Sequence, residues 1–212
     1  MSPEGASERA SKEALIADFG VSCETMKGLE AYVALLTHWQ NTTNLVAPST
    51  LGQIWSRHIL DSAQLFALAP NARAWIDMGS GGGLPGLVLA CQLKEVGGTI
   101  DLVESNSKKA AFLRHVATQL ALPARVHGDR IETVLPKLAP PDIVTARALA
   151  PLTELIGYAK QLLKSGATGL FPKGREYAAE LTEAGRHWHL SHELHASRTE
   201  PEARIIRITG LT

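Results

Sequence analysis

The stretch Ala74-Trp75-Ile76-Asp77-Met78-Gly79-Ser80-Gly81-Gly82-Gly83-Leu84-Pro85-Gly86 constrains this chain more than any other. A short apolar run meets an acid, then a dense glycine loop, then the apolar helical pattern of Leu87, Val88, Leu89, Ala90 and Leu93. The order predicts strand, tight turn, helix. Glycines at 79, 81 and 83 strip Cβ atoms from the turn, so its backbone can take positive φ and lie directly against a ligand. Pro85 suits the first helical turn, where a missing N–H costs nothing and φ is preset.

From residue 74 onward strand and helix patterns alternate, which predicts parallel strands joined by right-handed crossovers. The expected strands are Ala74 to Met78, Thr99 to Glu104, Ala124 to His127, Asp142 to Ala146 and Gly169 to Phe171. The expected helices are Pro85 to Leu93, Lys108 to Leu120, Ile131 to Leu138, Pro151 to Leu163 and Glu176 to Gly185. His187 to Ala196 and Arg204 to Thr209 flank the turn-like Arg198-Thr199-Glu200-Pro201 and predict a terminal antiparallel hairpin. Before the sheet, Met1 to Ala6 is expected to fray. Ser7 to Phe19 and Glu24 to Gln40 then carry helical periodicity, and Pro48-Ser49-Thr50 cap a further helix with Ile54, Trp55, His58 and Ile59. The fold class is therefore α/β: a doubly wound, mostly parallel seven-stranded sheet covering residues 73–212, with residues 1–72 as an N-terminal helical cap packed on it.

The spacing Gly81-x-Gly83-x-x-Gly86 matches the dinucleotide fingerprint, but Asp77 precedes the loop, and a carboxylate there repels pyrophosphate while suiting a cationic or hydroxyl-rich ligand. The fuller Asp-x-Gly-x-Gly-x-Gly pattern resembles the first motif of the S-adenosylmethionine-dependent methyltransferases. Their cofactor carries a sulfonium and an ammonium, and leaves as S-adenosylhomocysteine. Asp77, Gly79, Ser80, Gly81, Gly83 and Leu84 are the expected cofactor residues of this loop. Glu104, ending the second strand, emerges beside it and can accept both ribose hydroxyls of an adenosine. After the third strand, Ile131 can lie on the adenine face while Glu132 or Asp129 accepts from its exocyclic amine.

Lys plus Arg number 21 and Asp plus Glu number 21, so no global basic field announces nucleic acid and any RNA surface must be local. Two distant cysteines, Cys23 and Cys91, and no charged-then-apolar leader favour the reduced cytoplasm. No run approaches the ~18 apolar residues of a membrane span. His187, His189, His192 and His195 invite a metal reading, but their spacing on a strand does not converge and no cysteine or carboxylate completes a set; a strand edge is the expectation, and no metal.

The fourth strand ends Thr145-Ala146-Arg147-Ala148-Leu149-Ala150-Pro151, without the Asn/Asp-Pro-Pro-aromatic signature of amino-group methylation or the nucleophilic cysteine of cytosine C5 enzymes. An acceptor that needs neither covalent catalysis nor a base fits, and guanine N7 is one: its in-plane lone pair can attack a sulfonium methyl directly, with positioning supplying most of the rate. A guanidinium on N7 would occupy that lone pair and oppose the growing positive charge. Arg147 is therefore expected to hold an anion, the cofactor's carboxylate or an RNA phosphate.

Five stretches carry a closer resemblance: Trp39-Gln40-Asn41-Thr42-Thr43-Asn44-Leu45, Trp55-Ser56-Arg57-His58-Ile59-Leu60-Asp61-Ser62, Asp77 to Gly86, Lys108-Lys109-Ala110-Ala111-Phe112-Leu113-Arg114 and Arg147-Ala148-x-Ala150-Pro151. Together they resemble the bacterial 16S ribosomal RNA guanine-N7 methyltransferases, the glucose-inhibited division protein B family, over about residues 29 to 174. The resemblance implies a Rossmann-like class I methyltransferase fold and a guanosine acceptor in the small ribosomal subunit or its assembly intermediate. It also implies cofactor contacts at Gly79, Leu84, Ile131-Glu132 and Arg147. Glu104 stands where relatives often have Asp, and Pro172-Lys173-Gly174 where a Lys-Gly follows an apolar run. For RNA, the expected residues are Arg57, Lys108, Lys109, Arg114 and Lys173, with Arg147, Asn44 and His58 positioning the acceptor and no general base. The protein is expected to act as a monomer. The rival readings are a methyltransferase for another nucleic acid, a protein or a small molecule, and a non-enzymatic dinucleotide sensor.

Overall fold

The structure, a computed structural model, describes residues 3–212. Among the described residues seven strands form one sheet: β1 (Ala74–Met78), β2 (Thr99–Val103), β3 (Ala124–His127), β4 (Ile143–Thr145), β5 (Thr168–Lys173), β6 (Leu190–Ala196) and β7 (Arg204–Leu211). Their order is β3-β2-β1-β4-β5-β7-β6. The first five are parallel, and β7 inserts antiparallel between β5 and β6. The chain thus starts in the middle of the sheet, winds outward to one edge and returns to wind out to the other. The loops after β1 and β4 flank the reversal point, where open α/β sheets hold ligands.

Alternation along β1 sorts its side chains between two cores. Trp75 joins one face with Ile100 and Leu102 of β2, while Ile76 and Met78 join the opposite face with Val103 and Val144. On the first face lie α1 (Pro3–Phe19), α2 (Cys23–Gln40), α3 (Asp61–Ala67), α4 (Gly86–Val96) and α5 (Ser107–Gln119). On the second lie α6 (Ile131–Val134), α7 (Leu152–Lys164) and α8 (Tyr177–His187). Leu15, Leu29 and Leu36 share one continuous core with Leu87, Val88 and Phe112 of the sheet's own helices, all fully buried. Burying each such side chain is worth roughly 1.5–3 kcal/mol, which welds the N-terminal helices to the sheet.

Helix ends follow local chemistry. Ser22 caps α2 by accepting from Thr25 N at 3.1 Å, Asn106 caps α5 by accepting from Lys108 N and Lys109 N at 3.0 and 3.1 Å, and Gly97 ends α4 at φ 71°. Four expectations are corrected. Helix α1 starts at Pro3 where fraying was expected; Met1 and Ser2 lie outside the described residues. The single helix expected after Pro48 is a 3₁₀ segment, Pro48–Gln53, followed by a π-helical turn, Trp55–Leu60, that runs into α3. Helix α4 runs on to Val96. His187 closes α8 and does not begin a strand.

Candidate functional site

The glycine loop opens a cavity of about 510 Å³ at the carboxyl ends of β1, β2 and β4. Its wall contains Gly79, Ser80, Gly81, Leu84, Glu104, Lys109, Ile131, Glu132 and Arg147, bringing together most of the residues expected from sequence. Gly81 has φ 54°, and a Cβ there would meet nothing nearer than the Gly79 carbonyl at 3.8 Å, so the backbone lies open to a ligand. Glu104 is buried at the cavity wall. Its Oε2 accepts from Gly81 N at 2.8 Å and its Oε1 from Asn106 N at 2.7 Å. These bonds fix the carboxylate's orientation and leave a lone pair on each oxygen for a vicinal diol.

Asp77 is placed differently from its expected role. It is fully buried beneath the loop, outside the cavity wall, where Oδ2 accepts from Gly86 N at 3.2 Å and Oδ1 has no partner among the described residues. Burial pushes its pKa up to about 7, against the pull of Ser80, the Gly86 N–H and Arg147. The residue therefore ties β1 to the start of α4. A second anchor comes from the N-terminal helices: the Tyr32 hydroxyl of α2, wholly buried, donates to Gly82 O at 2.7 Å. Sequence reasoning missed it, since no local signal links positions 50 residues apart.

Arg147 lies at the end of β4, held by the π-helical turn. Its Nη1 donates to Arg57 O and to Asp61 Oδ2, each at 3.1 Å, and its Nη2 to His58 Nδ1 at 2.9 Å. The anion expected for Arg147 is present in the chain itself, as Asp61. Asp61 Oδ1 is in turn bonded by Thr199 Oγ1 at 2.8 Å and Gln64 Nε2 at 2.9 Å. Because Arg147 occupies Nδ1, the His58 proton sits on Nε2, which donates to Thr50 Oγ1 at 2.8 Å. Burial, then the Arg147 and Arg57 charges, lower the His58 pKa to about 4, so the ring is neutral and fully employed in positioning.

A second cavity, about 660 Å³, adjoins the first. Thr50, His58, Arg147, Ala148 and Leu149 face both and form the partition. Ala148 holds φ 54°, unusual for a residue with a Cβ, and such backbone strain concentrates at functional sites.

Several expected residues stand elsewhere. Asp129 is exposed and bonds Arg130 N at 2.7 Å, outside the cavity wall, while Arg130 itself lines it. Lys108 and Arg114 are exposed on α5 and line neither cavity. Asn44 is exposed and accepts from Gln40 Nε2 at 3.3 Å. Arg57 is exposed at the second cavity. Lys173 is no free surface cation: 9% exposed, it donates to Ala150 O at 2.7 Å and pairs with Glu180 at 2.7 Å. It faces the second cavity and does not stand on the outer surface as a contact to the RNA backbone would. Among the described residues no three His, Cys, Asp or Glu side chains gather as a metal site requires, and no helix is long and apolar enough to cross a membrane.

Comparison with known proteins gives a consistent outcome. The family described as rRNA small subunit methyltransferase G matches residues 25–205. A protein of Methylobacterium radiotolerans named ribosomal RNA small subunit methyltransferase G is 53% identical over 197 residues, 93% of each chain. A Methylorubrum populi protein of the same name is 49% identical over 199 residues, covering 93% of this chain and 94% of that one. In three dimensions the chain resembles the O-methyltransferase TomG of Streptomyces achromogenes, solved with SAM, at TM-score 0.62 and 14% identity over 99% of this chain and 100% of that one. That likeness is one of fold.

Proposed function

The chain belongs to the rRNA small subunit methyltransferase G family, and from that premise we propose that it transfers a methyl group from S-adenosylmethionine to N7 of a guanosine in 16S ribosomal RNA. The observation that carries the chemistry is the partition between two cavities at the end of β4: one side fits a methyl donor, the other an acceptor, and no free base stands between them.

When bound, S-adenosylmethionine supplies an electrophilic methyl on a sulfonium. Glu104 would orient its ribose, the open backbone of Gly79 to Gly81 would admit its methionine portion, and Ile131 and Glu132, in the same cavity wall, would meet its adenine. The N7 lone pair forms the new N–C bond as the S–C bond breaks, its electron pair returning to sulfur. No proton leaves the base, which becomes cationic. His58 and Arg147 have no proton to move in this step. They fix the partition, and the Asp61 carboxylate offsets the Arg147 charge beside the base. Catalysis then rests on alignment.

The acceptor RNA meets a protein of zero formal net charge, so phosphate attraction alone gives weak binding and the working substrate is the small subunit or its assembly intermediate. Lys108, Lys109, Arg114 and Arg57 are the proposed phosphate contacts. Labelled cofactor incubated with unmodified small subunits, naked 16S rRNA and ribosomal protein tests this: label in the rRNA of the particle supports the reading, and label in protein alone refutes it.

A further inference from the structure

The second cavity contains an enclosed lysine paired with a half-buried glutamate, both with unused hydrogen-bonding capacity. Lys173 Nζ bears three N–H groups and meets two acceptors, Ala150 O and Glu180 Oε2, each at 2.7 Å. Glu180 Oε2 also accepts from Leu152 N at 2.7 Å, while Glu180 Oε1 has no protein partner among the described residues. Both side chains line the cavity, and Ala150, bonded to Lys173, is the next residue after the partition segment Ala148-Leu149. A donor and an acceptor thus stand side by side, the donor bonded to Ala150, next to the partition segment in the chain, and the acceptor to Leu152, two residues further on. Guanine presents the complementary order from its Hoogsteen edge onward: N7, then the O6 acceptor, then the N1–H donor.

We infer that Lys173 and Glu180 read the acceptor base, the Lys173 ammonium donating to O6 and Glu180 Oε1 accepting from N1–H. This rests on the guanine-N7 reading above and adds what selects guanine. With N7 at the partition, O6 falls to Lys173 and N1–H to Glu180. Adenine reverses both groups, placing an amine against the ammonium and a lone pair against the carboxylate. The pair also braces the loop through Ala150 O and Leu152 N, so a purely structural role is the competing account.

The test uses small subunits reconstituted with guanine, inosine or 2-aminopurine at the acceptor position. All three keep N7; inosine keeps O6 and N1–H, whereas 2-aminopurine has C6–H and a bare N1. The unaltered protein is expected to methylate inosine within about tenfold of guanine and 2-aminopurine roughly a hundredfold more slowly, because an acceptor left facing a lone pair once the bound base excludes water discriminates strongly. Glu180→Gln turns Oε1 into a donor that suits bare N1, so the guanine preference over 2-aminopurine should shrink at least tenfold, with S-adenosylmethionine affinity by calorimetry reporting that the donor cavity is intact. Equal losses on both bases in Glu180→Gln, or equal rejection of inosine and 2-aminopurine by the unaltered protein, overturn the base-reading role. Should the unaltered protein leave guanine itself unmethylated at N7, the acceptor reading fails, and this inference with it.

Discussion

Arg147 Nη1 stands 3.1 Å from Asp61 Oδ2, an ion pair 86 residues apart in sequence whose side chains are only 16% and 18% exposed. It joins the end of β4 to the start of α3 and fixes one side of the partition between the cavities. Leaving either charge without its partner in so enclosed a place costs about 1–3 kcal/mol. Asp61→Asn and Arg147→Gln should each lower unfolding stability by about that much, and the double variant should lose less than their sum. Denaturant titration of the four proteins checks this; strictly additive losses would show that the pair is not coupled.

Tyr32→Phe removes the hydroxyl that donates to Gly82 O at 2.7 Å and leaves a buried carbonyl without its partner. The expected loss is about 1–2 kcal/mol in stability, accompanied by weaker S-adenosylmethionine binding in calorimetry, because the glycine loop is what the bond holds. Full stability with unchanged affinity would remove Tyr32 from the site's support.

Gly79→Ala places a Cβ on a residue at φ 69°, 2.5 Å from Leu149 Cδ1. The backbone conformation costs about 1–2 kcal/mol for a residue with a Cβ, and Leu149 must swing into one of the two cavities it faces. Cofactor affinity should fall at least tenfold while the far-ultraviolet circular dichroism spectrum stays unchanged. Parent-like affinity would contradict the close-approach role of this loop.

Asp77 gives a pH signature. Its folded pKa, raised by burial from 3.8 to about 7, means the native state holds a proton that the unfolded chain has already released across that interval. Stability from this residue is therefore present below about pH 4, falls as pH rises towards 7, and is constant above. The full interval corresponds to on the order of 4 kcal/mol. Chemical denaturation from pH 4 to 8 should show the parent losing stability relative to Asp77→Asn over this window. A difference independent of pH would contradict the buried, proton-holding state.

The sheet was legible because β1, β2, β4 and β5 contain short apolar runs whose ends coincide with turn residues, and the cavity because glycines and a strand-end acid cluster there. What escaped depends on distance. Nothing near Lys173 announces that Glu180 will fold back from α8 to neutralise it, so it resembled any basic residue after a strand. The π-helical turn at Trp55–Leu60 has ordinary helical periodicity; its extra residue per turn accompanies the presentation of both the Arg57 carbonyl and the His58 ring to Arg147. Asp77 was misjudged because its spacing from the glycines is the same whether the carboxylate faces a ligand or the N-terminus of α4.

The most direct measurement is the position of the new methyl group. Small subunits from a strain lacking the modification are incubated with the protein and S-adenosylmethionine, and their 16S rRNA is reduced with borohydride and treated with aniline, which cuts the strand only where a purine has been made cationic at N7. One new scission at a guanosine, dependent on both protein and cofactor, is the predicted result. Methyl label in the rRNA without scission would contradict the N7 assignment.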